Sequence, residues 1–261
     1  MIAGSSRKQS LSHQDFLALQ QTAALIPRVR IDQAVAQAAE NIRGFCQGRE
    51  AAYGWSGGKD SAVIRLLCEM AGIDECVMGI CALEYPAFLR WATANMPPRL
   101  EVIKNQSLNL DWLAQNQHML FPTANLASQW FHRVQHHAQD VYAAKHRLEL
   151  LILGRRRAEG NFVGKSGNSY RKGKLEIYSP IADWTHPLLF AVIAAYKLPL
   201  PPFYRWPRGF RCGTHPWPAR QWCRSIQDGW REIYAIDPTI VEFAAPKLES
   251  ARAFLAQRQS A

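Results

Sequence analysis

The segment Tyr53-Gly54-Trp55-Ser56-Gly57-Gly58-Lys59-Asp60-Ser61 constrains this chain more than any other. It follows a short, mainly apolar run, Ala51 to Trp55, and opens an amphipathic one, Ala62 to Cys68. That order reads as a strand, a glycine turn and a helix start. A helix N-terminus leaves backbone N–H groups without intrahelical partners, and these can hold phosphate. Gly57 and Gly58 let the backbone come close to a ligand. Lys59 adds a mobile positive charge, and Ser56 and Ser61 add hydroxyl groups. The segment points to a bound nucleotide; the bland alternative is an ordinary glycine-rich turn before a helix. A Walker A loop needs Gly-x-x-x-x-Gly-Lys-Ser/Thr. Here the first glycine position holds Tyr53 and the last position holds Asp60. Both tests fail, which argues against a kinase-like γ-phosphate cradle.

The rest of the chain continues the alternation. Ile31, Val35, Ala38, Ile42 and Phe45 recur at helical spacing. Cys76 to Ala82, Leu100 to Ile103 and Leu148 to Gly154 read as further strands. Between them, Ala87 to Asn95, Leu108 to Gln117 and Ala127 to His146 read as helices. Strands alternating with helices imply βαβ units and a mostly parallel sheet covered on both faces. In such sheets ligands bind beyond the carboxyl ends of the strands. The glycine loop and the segment after Gly154 should therefore meet at one rim. Residues 1–28 are expected to form a polar start and a short helix. Residues 29–198 form the nucleotide-binding α/β domain. Residues 199–261 form an appendage rich in Cys, Trp and Arg, loop-rich but with helices near Gln221 to Tyr234 and Pro238 to Gln257.

A second basic cluster follows the fourth strand: Gly154-Arg155-Arg156-Arg157-Ala158-Glu159-Gly160. From Arg155 to Lys174 there are seven Lys or Arg residues and one acidic residue. Arginine suits bidentate clamping of phosphate or sulfate. The segment reads as a mobile lid over an anionic substrate, or as a solvated basic loop.

These motifs resemble a known family. Ser56 to Ser61 match all six residues of the Ser-Gly-Gly-Lys-Asp-Ser loop of the PP-loop ATP pyrophosphatases. Gly154, Arg156 and Glu159 match the Gly-x-Arg-x-x-Glu-Ser element of the phosphoadenosine-phosphosulfate (PAPS) reductase branch, with Gly160 in place of the serine. Pro180-Ile181-Ala182-Asp183-Trp184 matches its Pro-x-x-x-Trp element, and Leu200-Pro201-Pro202-Phe203-Tyr204 shortens its Leu-Pro-x-x-x-x-Tyr stretch. Leu83-Glu84-Tyr85-Pro86 stands where the branch has Asp-Thr-Gly, leaving Glu84 as the carboxylate there. The resemblance implies an adenine nucleotide α-hydrolase-like, Rossmann-like fold. It also implies that the chain is an enzyme with PAPS or ATP as substrate. Ser56, Gly57, Gly58 and Ser61 then hold the terminal phosphates or sulfate, and Lys59 neutralises charge on the leaving group. Asp60 is the candidate to position Mg²⁺ if ATP is bound. Arg156, with Arg155 or Arg157, clamps the anion from the opposite side, and Glu159 belongs to the same element.

Arg211-Cys212-Gly213-Thr214-His215 resembles the Glu-Cys-Gly-x-His element of PAPS reductases, with Arg211 replacing the glutamate. Cys212 is then a catalytic thiolate that attacks sulfur, with thioredoxin or glutaredoxin as the partner that releases sulfite. Two other readings stay open. Cys212, His215 and Cys223 are soft metal ligands, one short of a structural zinc site, so iron–sulfur and zinc are disfavoured. Cys212 is otherwise an inert thiol. His132, His136 and His137 share a helix without a matching carboxylate pattern and read as surface residues. Trp206, Trp217, Trp222 and Trp230 among arginines read as base-stacking groups or as a small core.

Composition fits a soluble globular protein, 48% hydrophobic and 20% charged. The start, Met1 to Gln14, lacks an apolar signal core, and the longest apolar run, Pro187 to Tyr196, is too short to span a bilayer. No membrane association is expected, and a cytoplasmic location is. The six cysteines then read as thiols. A net charge of +10 favours anionic partners: a nucleotide, a sulfonucleotide or a nucleic acid. Three functions remain: a PAPS reductase-like enzyme, an AMP-forming ATP pyrophosphatase that adenylates an acceptor, as in sulfur transfer to nucleic acid, and a non-catalytic nucleotide or nucleic-acid binding module.

Overall fold

The structure, a computed structural model, describes residues 13–122 and 124–259. Of the polar opening Met1 to Gln14, residues 1–12 lie outside the described residues. In chain order the elements are α1 (His13–Ala23), α2 (Arg28–Cys46), β1 (Ala51–Gly54), α3 (Lys59–Ala71), β2 (Cys76–Cys81) and α4 (Pro86–Asn95). Then come β3 (Leu100–Asn105), α5 (Leu110–Gln115), α6 (Ala124–Phe131), α7 (His137–His146), β4 (Leu150–Ile152), β5 (Ser169–Lys172) and β6 (Leu175–Tyr178). The chain closes with α8 (His186–Ala195), α9 (Gly209–Cys212), α10 (Ile226–Ile236), α11 (Pro238–Ala244) and α12 (Glu249–Gln259).

The sheet order is β3-β2-β1-β4-β6-β5, parallel except for the β5–β6 pair. Side chains alternate across it with the period of two that a strand imposes. Tyr53, Met78, Leu150 and Ile152 enter a large core with α2, α3 and α8. Ala52, Val77, Leu151 and Ile177 enter a smaller one with Ala138 and Tyr142 of α7. Helix α2 supplies Ile31, Val35, Ala38 and Ile42 at helical spacing, so one stripe is buried and the other faces water. Gly72 ends α3 in the left-handed region (φ 82°) and donates its N–H to the carbonyls of Cys68 and Glu69.

Several elements depart from the sequence expectation. The β5–β6 hairpin falls in the basic segment, where no strand is expected. Ser-Tyr-Arg-Lys is too polar to signal a strand, and β5 is an edge strand that water can solvate. Gly173, at φ 62°, makes the tight turn between the two strands. The helix expected over Ala127 to His146 carries a π turn, His132–His136, between α6 and α7. That turn lies against Gly79 of β2, where any Cβ would overlap the Val134 carbonyl oxygen. The helix expected from Pro238 divides into α11 and α12.

The C-terminal segment packs into the large core rather than forming its own. Trp217, Trp230, Ile240 and Phe254 belong to the same cluster as Val63 and Ile64. Backbone bonds fasten it: Trp217 N–H donates to Leu83 O (3.0 Å), and Phe121 N–H donates to Pro218 O (2.7 Å). Of its arginines, Arg208 and Arg220 converge on Glu232 at 2.7 and 2.5 Å. Trp217 and Trp230 are thus core residues, not exposed stacking groups.

Glu84 is buried at this junction, and its carboxyl accepts the Cys81 N–H (3.2 Å). Burial pushes it up to about 8 from 4.5. Between those values the unfolded chain binds fewer protons than the folded one, so stability falls as pH rises through that window. Glu84→Gln removes the titration. In denaturant melts from about pH 5 to about pH 8.5, the wild type should lose on the order of a few kcal/mol relative to the variant. A parallel pH dependence in both proteins would show that Glu84 ionises normally.

Candidate functional site

The strand order reverses between β1 and β4, and both strands run the same way there. Loops leaving their carboxyl ends diverge to opposite faces and open a crevice. A cleft of about 530 Å³ lies at this point, walled by the loop after β1 and the segment after β4. Gly57 sits at φ 71°, and a Cβ built there would lie 2.7 Å from the Trp91 ring. Only glycine meets both demands. Gly154 makes the other close approach: a Cβ there would lie 2.9 Å from the Asp60 Cβ. The two motif segments therefore touch, as their strand-end positions require.

The loop is tied by its own hydroxyls. Ser61 Oγ accepts from Ser56 N–H (3.2 Å) and donates to Gly58 O (2.9 Å), and Ser56 Oγ lies 3.3 Å from it. Gly58 caps α3, so the first-turn N–H groups of that helix open at the cleft. One of them, Lys59 N–H, donates to the Tyr204 hydroxyl (2.8 Å). Ser56, Gly58, Asp60 and Ser61 line the cleft, and Tyr204 joins them from the C-terminal segment.

Beneath the loop lies a charge cluster. Lys59 is 1% exposed and Arg156 is fully buried. Asp60 takes Lys59 Nζ on one oxygen (2.5 Å) and Arg156 Nε on the other (2.7 Å). Glu159 accepts from Lys59 Nζ as well and from Arg156 (3.2 Å). Arg156 also donates to Trp184 O (3.0 Å) and to His186 Nδ1 (3.1 Å). Two cations thus face two carboxylates, which is the balance a buried cluster needs. Burial, then Arg156 and Lys59, push His186 down to about 4, so it is neutral. Its Nδ1 accepts, so Nε2 carries the proton and finds no acceptor among the described residues.

The three arginines after β4 have separate fates. Arg156 is sunk in the cluster. Arg157 pairs with Asp183 and donates to Gly167 O (2.7 Å). Arg155 lines the cleft. It reaches the Tyr170 hydroxyl and lies 3.0 Å from His136 Nε2. His136 Nδ1 is 2.7 Å from His132 Nδ1, a chain that the π turn assembles. These histidines and Tyr170 were legible only as surface residues or as nothing at all, because a sequence does not announce a π turn.

Cys212 is buried at the end of α9 and is not among the residues walling the cleft. The next three, Gly213, Thr214 and His215, are. Among the described residues no group of three or more His, Cys, Asp or Glu side chains is placed to hold a metal ion, Cys212, His215 and Cys223 included. Both oxygens of Asp60 already face a cation, so Mg²⁺ held there would share them with Lys59 and Arg156. The residues as arranged do not fit that ion. Glu84 does not reach the cleft.

No family model and no curated protein matches this sequence. Solved structures do. Phosphoadenylyl-sulfate (PAPS) reductase from Candida auris, in a phosphate complex, aligns over 75% of this chain and 92% of its own with a TM-score of 0.50 and 13% identity. The fold is the PAPS reductase fold. The α/β architecture with a mostly parallel sheet expected from the sequence is the one observed. Among the described residues no helix is long and apolar enough to cross a membrane.

The cluster gives a sharp expectation. Arg156→Met leaves two partly buried carboxylates, with side chains 17% and 8% exposed, facing one lysine. Such broken pairs cost about 3–5 kcal/mol. Denaturant unfolding should show that loss, whereas Arg157→Met, at an exposed pair, should change stability by about 1 kcal/mol or less. Equal effects would contradict the burial difference.

Proposed function

We propose that this protein is a PAPS reductase-like PP-loop enzyme that binds an adenine nucleotide, PAPS or ATP, and acts on its sulfate or phosphate end. One observation carries the reading: the Ser56–Ser61 loop and Arg155 face one cleft at the sheet's switch point. Ser56, Gly57, Gly58 and Ser61 hold the terminal anion with hydroxyls and helix N–H groups. Arg155 closes on it from the opposite wall. Lys59 meets charge developing on the leaving group by loosening its hold on Asp60 or Glu159. Arg156 and Glu159 keep that lysine in place. The structural neighbour's phosphate is in keeping with an anion site.

In the reductive chemistry, the Cys212 thiolate attacks the sulfur of PAPS. The sulfur–oxygen bond to phosphate breaks, and adenosine bisphosphate leaves with the electron pair. A dithiol partner, thioredoxin or glutaredoxin, then attacks the enzyme thiosulfonate. Sulfite leaves and the partner becomes a disulfide. The turn Gly213–His215 must shift for the buried thiol to reach the cleft.

That burial favours a second reading, in which Cys212 takes no part. An acceptor attacks the α-phosphorus of ATP, pyrophosphate leaves, and an adenylated acceptor forms. Product analysis with PAPS, adenosine phosphosulfate and ATP separates the two. The reductase reading expects sulfite from PAPS that disappears in Cys212→Ser while nucleotide affinity stays. Sulfite release that survives this change sinks the thiosulfonate route, and AMP with pyrophosphate identifies the second. Ser56→Ala with Ser61→Ala should weaken nucleotide binding at least about tenfold, given about 1.5–3 kcal/mol for a hydrogen bond to a charged group. Unchanged binding calorimetry in that variant would remove the loop from the site.

A further inference from the structure

The cleft does not end at Arg155. His136 walls both the cleft and a neighbouring hollow of about 600 Å³. That hollow shares Asp140 and Lys172 with a third, of about 910 Å³, below the β5–β6 hairpin. The three lie in a row along the π turn, α7 and the hairpin, each sharing lining residues with the next. The cleft alone has the volume of a small-molecule site, so the two outer stretches provide room for something longer.

Charge along the outer groove has one sign in excess. Its carboxylates are Asp140, Glu149 and Glu176. Asp140 pairs with Lys172 (2.5 Å) and Glu176 with Arg49 (2.8 Å). Arg133, Arg147, Arg171 and Lys174 also line it, are exposed, and form no ion pair among the described residues. Against them stand Glu149, whose carboxylate accepts the Glu50 N–H (3.1 Å), and Glu176, which lies across the hairpin from Arg171 and is already paired with Arg49. At the junction with the cleft are aromatic faces. Phe162, 55% exposed, packs on Tyr170 at 4.9 Å, and the Arg155 guanidinium lies over Tyr170 at 5.8 Å.

We infer that this groove is a track for a single-stranded nucleic acid whose end reaches the nucleotide cleft. Spaced cations that follow a concave path, with aromatic faces at one end, are what a single strand needs: phosphate neutralisation and base stacking. An acidic globular protein would meet the cations but has no use for the aromatic faces at the cleft end, and it becomes an outcome of the test. The track stands apart from the choice between PAPS and ATP. It supplies an acceptor class for the adenylating chemistry, whereas the reductive chemistry needs no acceptor.

The test is fluorescence anisotropy with labelled single strands of about 12 nucleotides, RNA and DNA, long enough for such a track. Four phosphate contacts at about 0.7 each give a salt slope near −3, or a loss of about 50-fold between roughly 50 and 200 mM salt. The variant Arg147→Ala/Arg171→Ala/Lys174→Ala should flatten the slope to about −1. These side chains are exposed, and nucleotide titration of the same variant should match the wild type. Three outcomes overturn the inference: no strand binds, the triple variant binds with an unchanged slope, or polyglutamate binds as tightly as the strand, which would make the groove a general acidic-partner surface. Loss of nucleotide binding in the wild type would instead refute the proposed function and leave the strand measurement standing.

Discussion

The structure turns on the ion cluster beneath the glycine loop. Asp60 and Lys59 come from the first turn of α3; Arg156 and Glu159 come from the segment after β4. The two segments are far apart in sequence but leave adjacent strands. Each supplies one cation and one carboxylate, and two of the four ion pairs, Lys59–Glu159 and Arg156–Asp60, cross from one segment to the other. Together they are neutral. The cluster therefore locks the two walls of the cleft at one separation, and Gly154 permits the approach by offering no Cβ against Asp60. Removing either cation would leave two carboxylates sharing the other and loosen the wall that Arg155 belongs to.

The C-terminal segment completes this arrangement. Tyr204 takes the Lys59 N–H, and Thr214 comes to 3.4 Å from a Cβ built on Gly58. Phe203 and Trp206 pack on Tyr85, so the loop after β2 and the C-terminal segment share one aromatic cluster. Glu232 holds Arg208 and Arg220 and fixes the chain on both sides of α9. Cys212 is thus set in a braced segment, whereas Gly213, at φ 71°, begins a turn with more conformational freedom.

Much of this was legible in the sequence because its physics is local. A strand, a glycine turn and a capped helix are written in consecutive residues, as Ala51 to Cys68 shows. The meeting of Gly154 with the loop followed from the rule for parallel sheets. Other features depend on what a residue faces. Arg155, Arg156 and Arg157 are chemically alike, and only tertiary packing sends one into the cluster, one to the cleft and one to Asp183. The β5–β6 hairpin lacked an apolar pattern because its edge strand buries little. The His132–His136 π turn lies where the helix closely approaches Gly79, a contact between segments that no local pattern records.

The neutrality of the cluster bears on how the cleft would hold an anion. Lys59 and Arg156, the two strongest motif cations, already face Asp60 and Glu159, so they add little net field at the loop. The attraction must come from the α3 N-terminus, the Ser56 and Ser61 hydroxyls and Arg155. Helix dipoles and hydroxyls act at short range and respond to the shape of the anion as much as to its charge. A tetrahedral group of oxygens satisfies them whether its centre is phosphorus or sulfur. Discrimination between the two must then arise at the opposite wall, where Arg155, Tyr170 and His136 form a chain that depends on the π turn. On the proposed reading, specificity would rest on the helix irregularity more than on the glycine loop that announces it.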